Sequence, residues 1–68
     1  MSPYEETIVL PTVVKLNQAL GGTITSLELA ETLHRPRRTA QYYLKRLEQV
    51  GMVNRPNGHR GGWVAVQR

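Results

Sequence analysis

The chain has 68 residues, 40% hydrophobic and 21% charged, which is room for one compact domain spanning residues 1–68 and excludes a two-lobed enzyme that closes around its substrate. Nine Lys and Arg against five Asp and Glu give a formal charge of +4 and a sequence pI near 10.1, which points to a polyanionic partner such as nucleic acid or an anionic membrane surface. The chain has no Cys, which excludes a disulfide framework and a thiolate metal site; its longest apolar run near the N-terminus, Ile8-Val9-Leu10, is far short of a signal core or a membrane span, so a soluble, cytoplasmic protein is expected.

Ser2-Pro3-Tyr4-Glu5 combines a candidate N-cap, a Pro suited to the first helical position and a Glu three residues after the Ser, so a helix is predicted to begin there. Val9, Val13, Leu16 and Leu20, widened by Val14, then mark one apolar face, with Thr12, Lys15, Asn17 and Gln18 left polar. Pro11 interrupts this pattern because it has no N–H to donate to the Thr7 carbonyl; the helix either kinks there or restarts with Pro11 near its first turn. Gly21-Gly22 ends it.

Thr23-Ile24-Thr25 is β-branched throughout and long enough only for a stub of strand. Thr25 and Glu28 form a capping box for a second helix, whose apolar edge is Leu29, Ala30 and Leu33, and His34-Arg35-Pro36 breaks it. A third helix is predicted from Pro36 to Val50 with Gly51 as its stop. At about 100° per residue, Ala40, Tyr43, Leu44, Leu47 and Val50 fall on one side and Arg38, Gln41, Tyr42, Lys45 and Gln49 on the other. Met52–Arg55 and Trp63–Gln67 read as two strands of a hairpin whose tip, residues 56–62, is basic and rich in Gly. The predicted fold is therefore mainly α with a small β-hairpin.

Charge follows this division. Residues 1–33 hold one base, Lys15, against Glu5, Glu6, Glu28 and Glu31, whereas the rest of the chain holds eight bases against Glu48 alone. The stretch TSLELAETL followed by RRTAQYYLKRLEQVGMV, with its capped short helix, central Leu-Ala and closing Leu-x-x-Leu, Gly, apolar, Val order, resembles the three-helix winged helix-turn-helix domain of bacterial transcription regulators. The likeness runs over roughly residues 7 to 67. It departs from the usual pattern at His34, where such turns often have Gly, and at Pro36, where a Ser or Thr cap is common.

The resemblance implies sequence-specific binding of double-stranded DNA by a small regulator of the bacterial nucleoid, with the helix 36–50 in the major groove and the 56–62 wing on phosphates or the minor groove. It places Arg37, Arg38, Gln41, Tyr42 and Lys45 on the groove-facing part of the recognition helix and His59 and Arg60 at the wing tip. Arg38 and Gln41 suit base reading, since a guanidinium can meet O6 and N7 of guanine together and an amide can bridge N6 and N7 of adenine. Arg37, Lys45 and Arg46 suit phosphate neutralisation, which needs charge without a fixed edge geometry. Tyr42 could donate to a phosphate or touch a thymine methyl, Tyr43 belongs to the core with its hydroxyl at the rim, and Arg60 among Gly58, Gly61 and Gly62 could enter a narrow minor groove. Trp63 covers the hairpin base against the core.

Two His and one nearby acid, Glu48, assemble neither a metal cage nor an acid–base pair, so no enzyme activity, metal, cofactor or small-molecule substrate is expected. Membrane binding is not expected either, because the bases do not flank an apolar insertion face. A homodimer is expected through Tyr4, Ile8 and their apolar neighbours, at the end with the wrong charge for DNA. The alternative reading is a winged-helix adaptor that docks an acidic protein on the same basic face.

Overall fold

The computed structural model of the chain describes residues 3–58 and 61–66. It is mainly helical with one small antiparallel hairpin, in an order compatible with the winged-helix layout. A π-helical segment, Glu5–Val9, runs into α1 (Leu10–Leu20), followed by α2 (Ser26–Leu33), α3 (Arg37–Gln49), β1 (Val53–Asn54) and β2 (Val64–Ala65). Among the described residues no helix is long and apolar enough to cross a membrane. The N-cap expected at Ser2 lies outside the described residues.

At Pro11 the helix does not restart: the π-helical segment runs directly into α1, and Val9 and Leu10 on either side of the junction are helical. Pro11 stands in the first turn of α1, where a missing donor is tolerated, and just ahead of it the Leu10 N–H reaches back five residues to the Glu5 carbonyl. The Thr12 hydroxyl donates to the Ile8 carbonyl at 2.7 Å, so the chain passes the proline without a break. Gly21, at φ 75°, closes α1 as expected, and the Gly22 N–H returns to the Asn17 carbonyl.

The start of α2 is the capping box read from the sequence. Thr25 Oγ1 accepts the Glu28 N–H at 3.0 Å, and Glu28 Oε1 accepts the Thr25 N–H at 2.7 Å. Its end departs from the common pattern: His34 itself takes the left-handed conformation, φ 56°, that a Gly would adopt at little cost. The Arg35 N–H then bonds to the Ala30 carbonyl, completing the turn into α3. That helix is one residue shorter at each end than the predicted 36–50. Pro36 is its N-cap, offering only its carbonyl to Thr39 and Ala40, and Val50 has already left helical geometry.

The core gathers Val9 from the π-helical segment, Val13 from α1, Leu29 and Ala30 from α2, Ala40, Leu44 and Leu47 from α3, Val53 and Ala65 from the strands, and Ile24 and Trp63 beside them. Two residues assigned to the apolar faces do not join it. Leu20 and Val50 are 54% and 49% exposed: Leu20 is the last residue of α1 and Val50 the C-cap just past α3, beyond the covered part of each face. From the N-terminal helical stretch, Val9 and Val13 are fully buried, and Leu10, Val14 and Leu16 pack against the core half-buried.

The strands are shorter than expected. Val53 pairs with Ala65 and Asn54 with Val64, and the stub predicted at residues 23–25 is a single antiparallel bridge between Ile24 and Trp63. Beyond that bridge the ladder is continued by a side chain. Asn17 Oδ1 accepts the Ala65 N–H at 2.9 Å while Asn17 Nδ2 donates to the carbonyls of Trp63, at 3.1 Å, and Gly22, at 2.9 Å. One amide thus ties α1 to the hairpin and to its own C-terminal turn. Because Ala65 is buried, Asn17→Ala strands its N–H, and a loss of about 1–3 kcal/mol is expected. It should appear as a lower urea midpoint at unchanged slope; an unaltered midpoint would mean that the α1–hairpin tie adds nothing to stability.

Candidate nucleic-acid interface

The outer surface of α3 carries the predicted site in an order set by helical geometry. Arg37 and Gln41 lean towards the hairpin, Arg38 and Lys45 lie along the middle, and Tyr42 and Arg46 form the edge nearer the N-terminal helix. Arg37, Arg38, Tyr42 and Lys45 are exposed, whereas Gln41 is half-buried. The opposite side, Ala40, Leu44 and Leu47, is buried, so the helix is braced from behind along its length. No ion pair to Arg37, Arg38 or Lys45 occurs among the described residues.

Between α3, the first turn of α2 and the base of the hairpin lies an open groove of about 340 Å³. Arg37, Gln41 and Lys45, one helical turn apart, form one wall; Thr25 and Ser26 form the second; Gly61, Gly62, Trp63 and Arg55 form the third. Arg37 Nε lies 3.4 Å from the Ser26 hydroxyl, which joins the start of α3 to the start of α2. Trp63 is 6% exposed and packs into the core as expected, with the Arg55 guanidinium 4.5 Å above its ring. Arg55 also meets Glu48, Nε to Oε2 at 3.4 Å.

No protein-family model matches the chain, and neither a curated protein nor a solved structure matches it.

The structure assembles Arg37, Arg38, Gln41, Tyr42 and Lys45 on one continuous face. Arg46 is placed differently. Its Nε lies 3.2 Å from both carboxylate oxygens of Glu5, a residue only 3% exposed, and its Nη1 donates to the Tyr42 hydroxyl at 3.3 Å. The hydrogen bond to Glu5, and then its charge, raise the Arg46 pKa above the ordinary value. The guanidinium expected to neutralise phosphate is paired with a carboxylate within the chain. His59 and Arg60, assigned to the wing tip, lie outside the described residues.

Thr25, Ser26 and Arg55 line the groove without having been singled out in the sequence. Thr25 stood out only as a helix cap, and Arg55 only as a strand residue. A reading of helix–helix proximity across the turn could have found Ser26, which sits eleven residues from its partner Arg37. Nothing local marks Arg55, because its place above Trp63 depends on the hairpin register.

Proposed function

We propose that the chain is a sequence-specific double-stranded DNA-binding module of the winged-helix type, a small bacterial transcription regulator acting in the cytoplasm at the nucleoid. The observation that carries this reading is the row Arg38, Gln41 and Lys45, solvent-facing and free of carboxylate partners among the described residues, on a helix braced by Leu44 and Leu47. An α-helix of 13 residues, about 20 Å long, fits a major groove about 12 Å wide. Arg38 and Gln41 then read base edges, Arg37 and Lys45 meet phosphates, and the 56–62 wing, with His59 and Arg60, lies over the backbone or the adjacent minor groove.

The described residues extend 25 × 24 × 21 Å, less than the about 34–36 Å between half-sites one helical turn apart. A homodimer supplies the second half-site, and Ile8, 45% exposed at the N-terminal end, is its contact. Tyr4 is less available for that role, since its ring packs 5.4 Å from Tyr43 within the same chain.

Selection of bound fragments from a random duplex pool tests function and assembly together; recovery of an inverted repeat is the expected result. Affinity for the recovered duplex should fall with salt at a log–log slope near −0.9 per phosphate contacted. Arg38→Ala should relax preference at one base pair by about 1–3 kcal/mol, whereas Lys45→Ala should weaken all sequences alike and flatten the slope by about one contact. Equal losses in the two variants would refute this division of labour. If nonspecific duplex fails to compete with the natural partner, the surface belongs to a protein adaptor instead.

A further inference from the structure

Glu5, Arg46 and Tyr42 form a chain of contacts from the interior to the outer edge of α3. The Glu5 carboxylate is almost fully buried, and a buried carboxylate requires a cation. Arg46 supplies it from 41 residues away, with Nε engaged by both oxygens. Its other arm is thereby directed along α3, where the guanidinium covers the Tyr42 ring at 5.5 Å and Nη1 donates to Tyr42 Oη. Tyr42 is one turn back on the same helix and 55% exposed; its ring also lies 6.0 Å from that of Tyr43, but among the described residues the hydrogen bond to its hydroxyl comes from Arg46.

The direction of that hydrogen bond decides what Tyr42 can do. Its oxygen accepts from Arg46, and among the described residues no acceptor takes its own proton. A hydroxyl whose proton has no acceptor among the described residues, with a guanidinium beside it and Arg38 one turn away, is suited to an anionic oxygen. A thymine methyl would use none of this polarity.

We infer that Tyr42 donates its hydroxyl proton to a backbone phosphate of the bound duplex and that Arg46, anchored by Glu5, is a positioning residue that does not itself contact DNA. The inference rests on the DNA-binding reading above and assigns the contact at the edge of α3 remote from the hairpin. Arg46 thus holds the phosphate ligand in place with a charge that Glu5 has already balanced.

The test uses the duplex recovered from the random pool. Tyr42→Phe, a change at an exposed position that leaves the core untouched, should lower affinity about tenfold, as loss of a hydrogen bond to a charged group does. A scan of single methylphosphonate linkages, each removing one phosphate charge, should find one position at which wild type and Tyr42→Phe bind equally. Glu5→Gln should also weaken binding, with the salt slope unchanged, and the double variant should lose no more than Tyr42→Phe alone. Tighter binding by Glu5→Gln with a slope steeper by about 0.9 would mean that released Arg46 meets phosphate itself, and would overturn the assignment. So would full affinity in Tyr42→Phe, or a constant ratio between the two proteins at every methylphosphonate position. The Tyr42→Phe arm decides even if Glu5→Gln loses its fold. If the wild-type chain selects no duplex, the DNA-binding reading itself falls; selection followed by an indifferent Tyr42→Phe removes only the present inference.

Discussion

Gly62→Ala should unseat the hairpin from the helical body. A Cβ at this position would stand 2.4 Å from the Ile24 carbonyl oxygen and 3.0 Å from the Ile24 nitrogen, both of them backbone atoms that cannot turn aside as a flexible side chain would. The same Ile24 groups form the bridge to Trp63, with the Trp63 N–H donating to the Ile24 carbonyl at 2.7 Å and the Ile24 N–H to the Trp63 carbonyl at 2.9 Å. Relieving the overlap costs about 1–3 kcal/mol, and a further about 1–3 kcal/mol follows for each buried backbone group left without a partner. Trp63 is the sole tryptophan, so the consequence can be read directly: a red-shifted emission together with a lower melting temperature. Because Gly61, Gly62 and Trp63 also form one wall of the groove beside α3, duplex binding should weaken in the same variant. Native-like emission and melting would show that the stub and the hairpin do not need their close approach.

Leu44→Ala should be the most damaging substitution in α3. Leu44 is fully buried at the centre of α3, packed within the cluster that includes Val13, Leu29 and Trp63. Truncating a leucine in such a place costs about 2–5 kcal/mol, part for lost transfer from water and part for the cavity. Domains are stabilised by only about 0.05–0.15 kcal/mol per residue, so in a chain of 68 residues this is a large share of the total and leaves much of the population unfolded. Leu44→Met, which conserves volume, should cost less than about 1.5 kcal/mol and retain binding. Urea unfolding of the two variants separates a packing requirement from simple intolerance of change; comparable midpoints for both would argue that α3 is not braced through this residue.

These two residues differ in how far their roles could be read in advance. The inward position of Leu44 follows from the spacing of Ala40, Leu44 and Leu47, which any helix would place on one side. Gly62 reads in the sequence as one of several glycines in a pliable tip, yet its need for Gly comes from the Ile24 backbone pressed against it, 38 positions earlier in the chain. Asn17 reads as an exposed polar residue of the first helix, although its amide finishes a β-ladder at Trp63 and Ala65. The apolar periodicity also placed Leu20 and Val50 in the core, where they are not, because periodicity marks a face without saying where the neighbouring element ends.

The same distinction runs through the candidate interface. Local pattern was enough to determine that Arg38, Gln41, Tyr42 and Lys45 share the outer side of one helix, that Thr25 and Glu28 cap the helix before it, and that a basic C-terminal half follows an acidic N-terminal one. These are consequences of helical pitch, side-chain reach and charge count, each spanning a few residues or none in particular. Only the tertiary structure decided that Arg46 pairs with the buried Glu5, that Arg55 lies over Trp63, and that Ser26 and Arg37 meet across the groove. The physical reason is that a charge or an amide finds its partner through the packing of distant elements, and burial, which makes Glu5 demand a cation, exists only once those elements have closed over it.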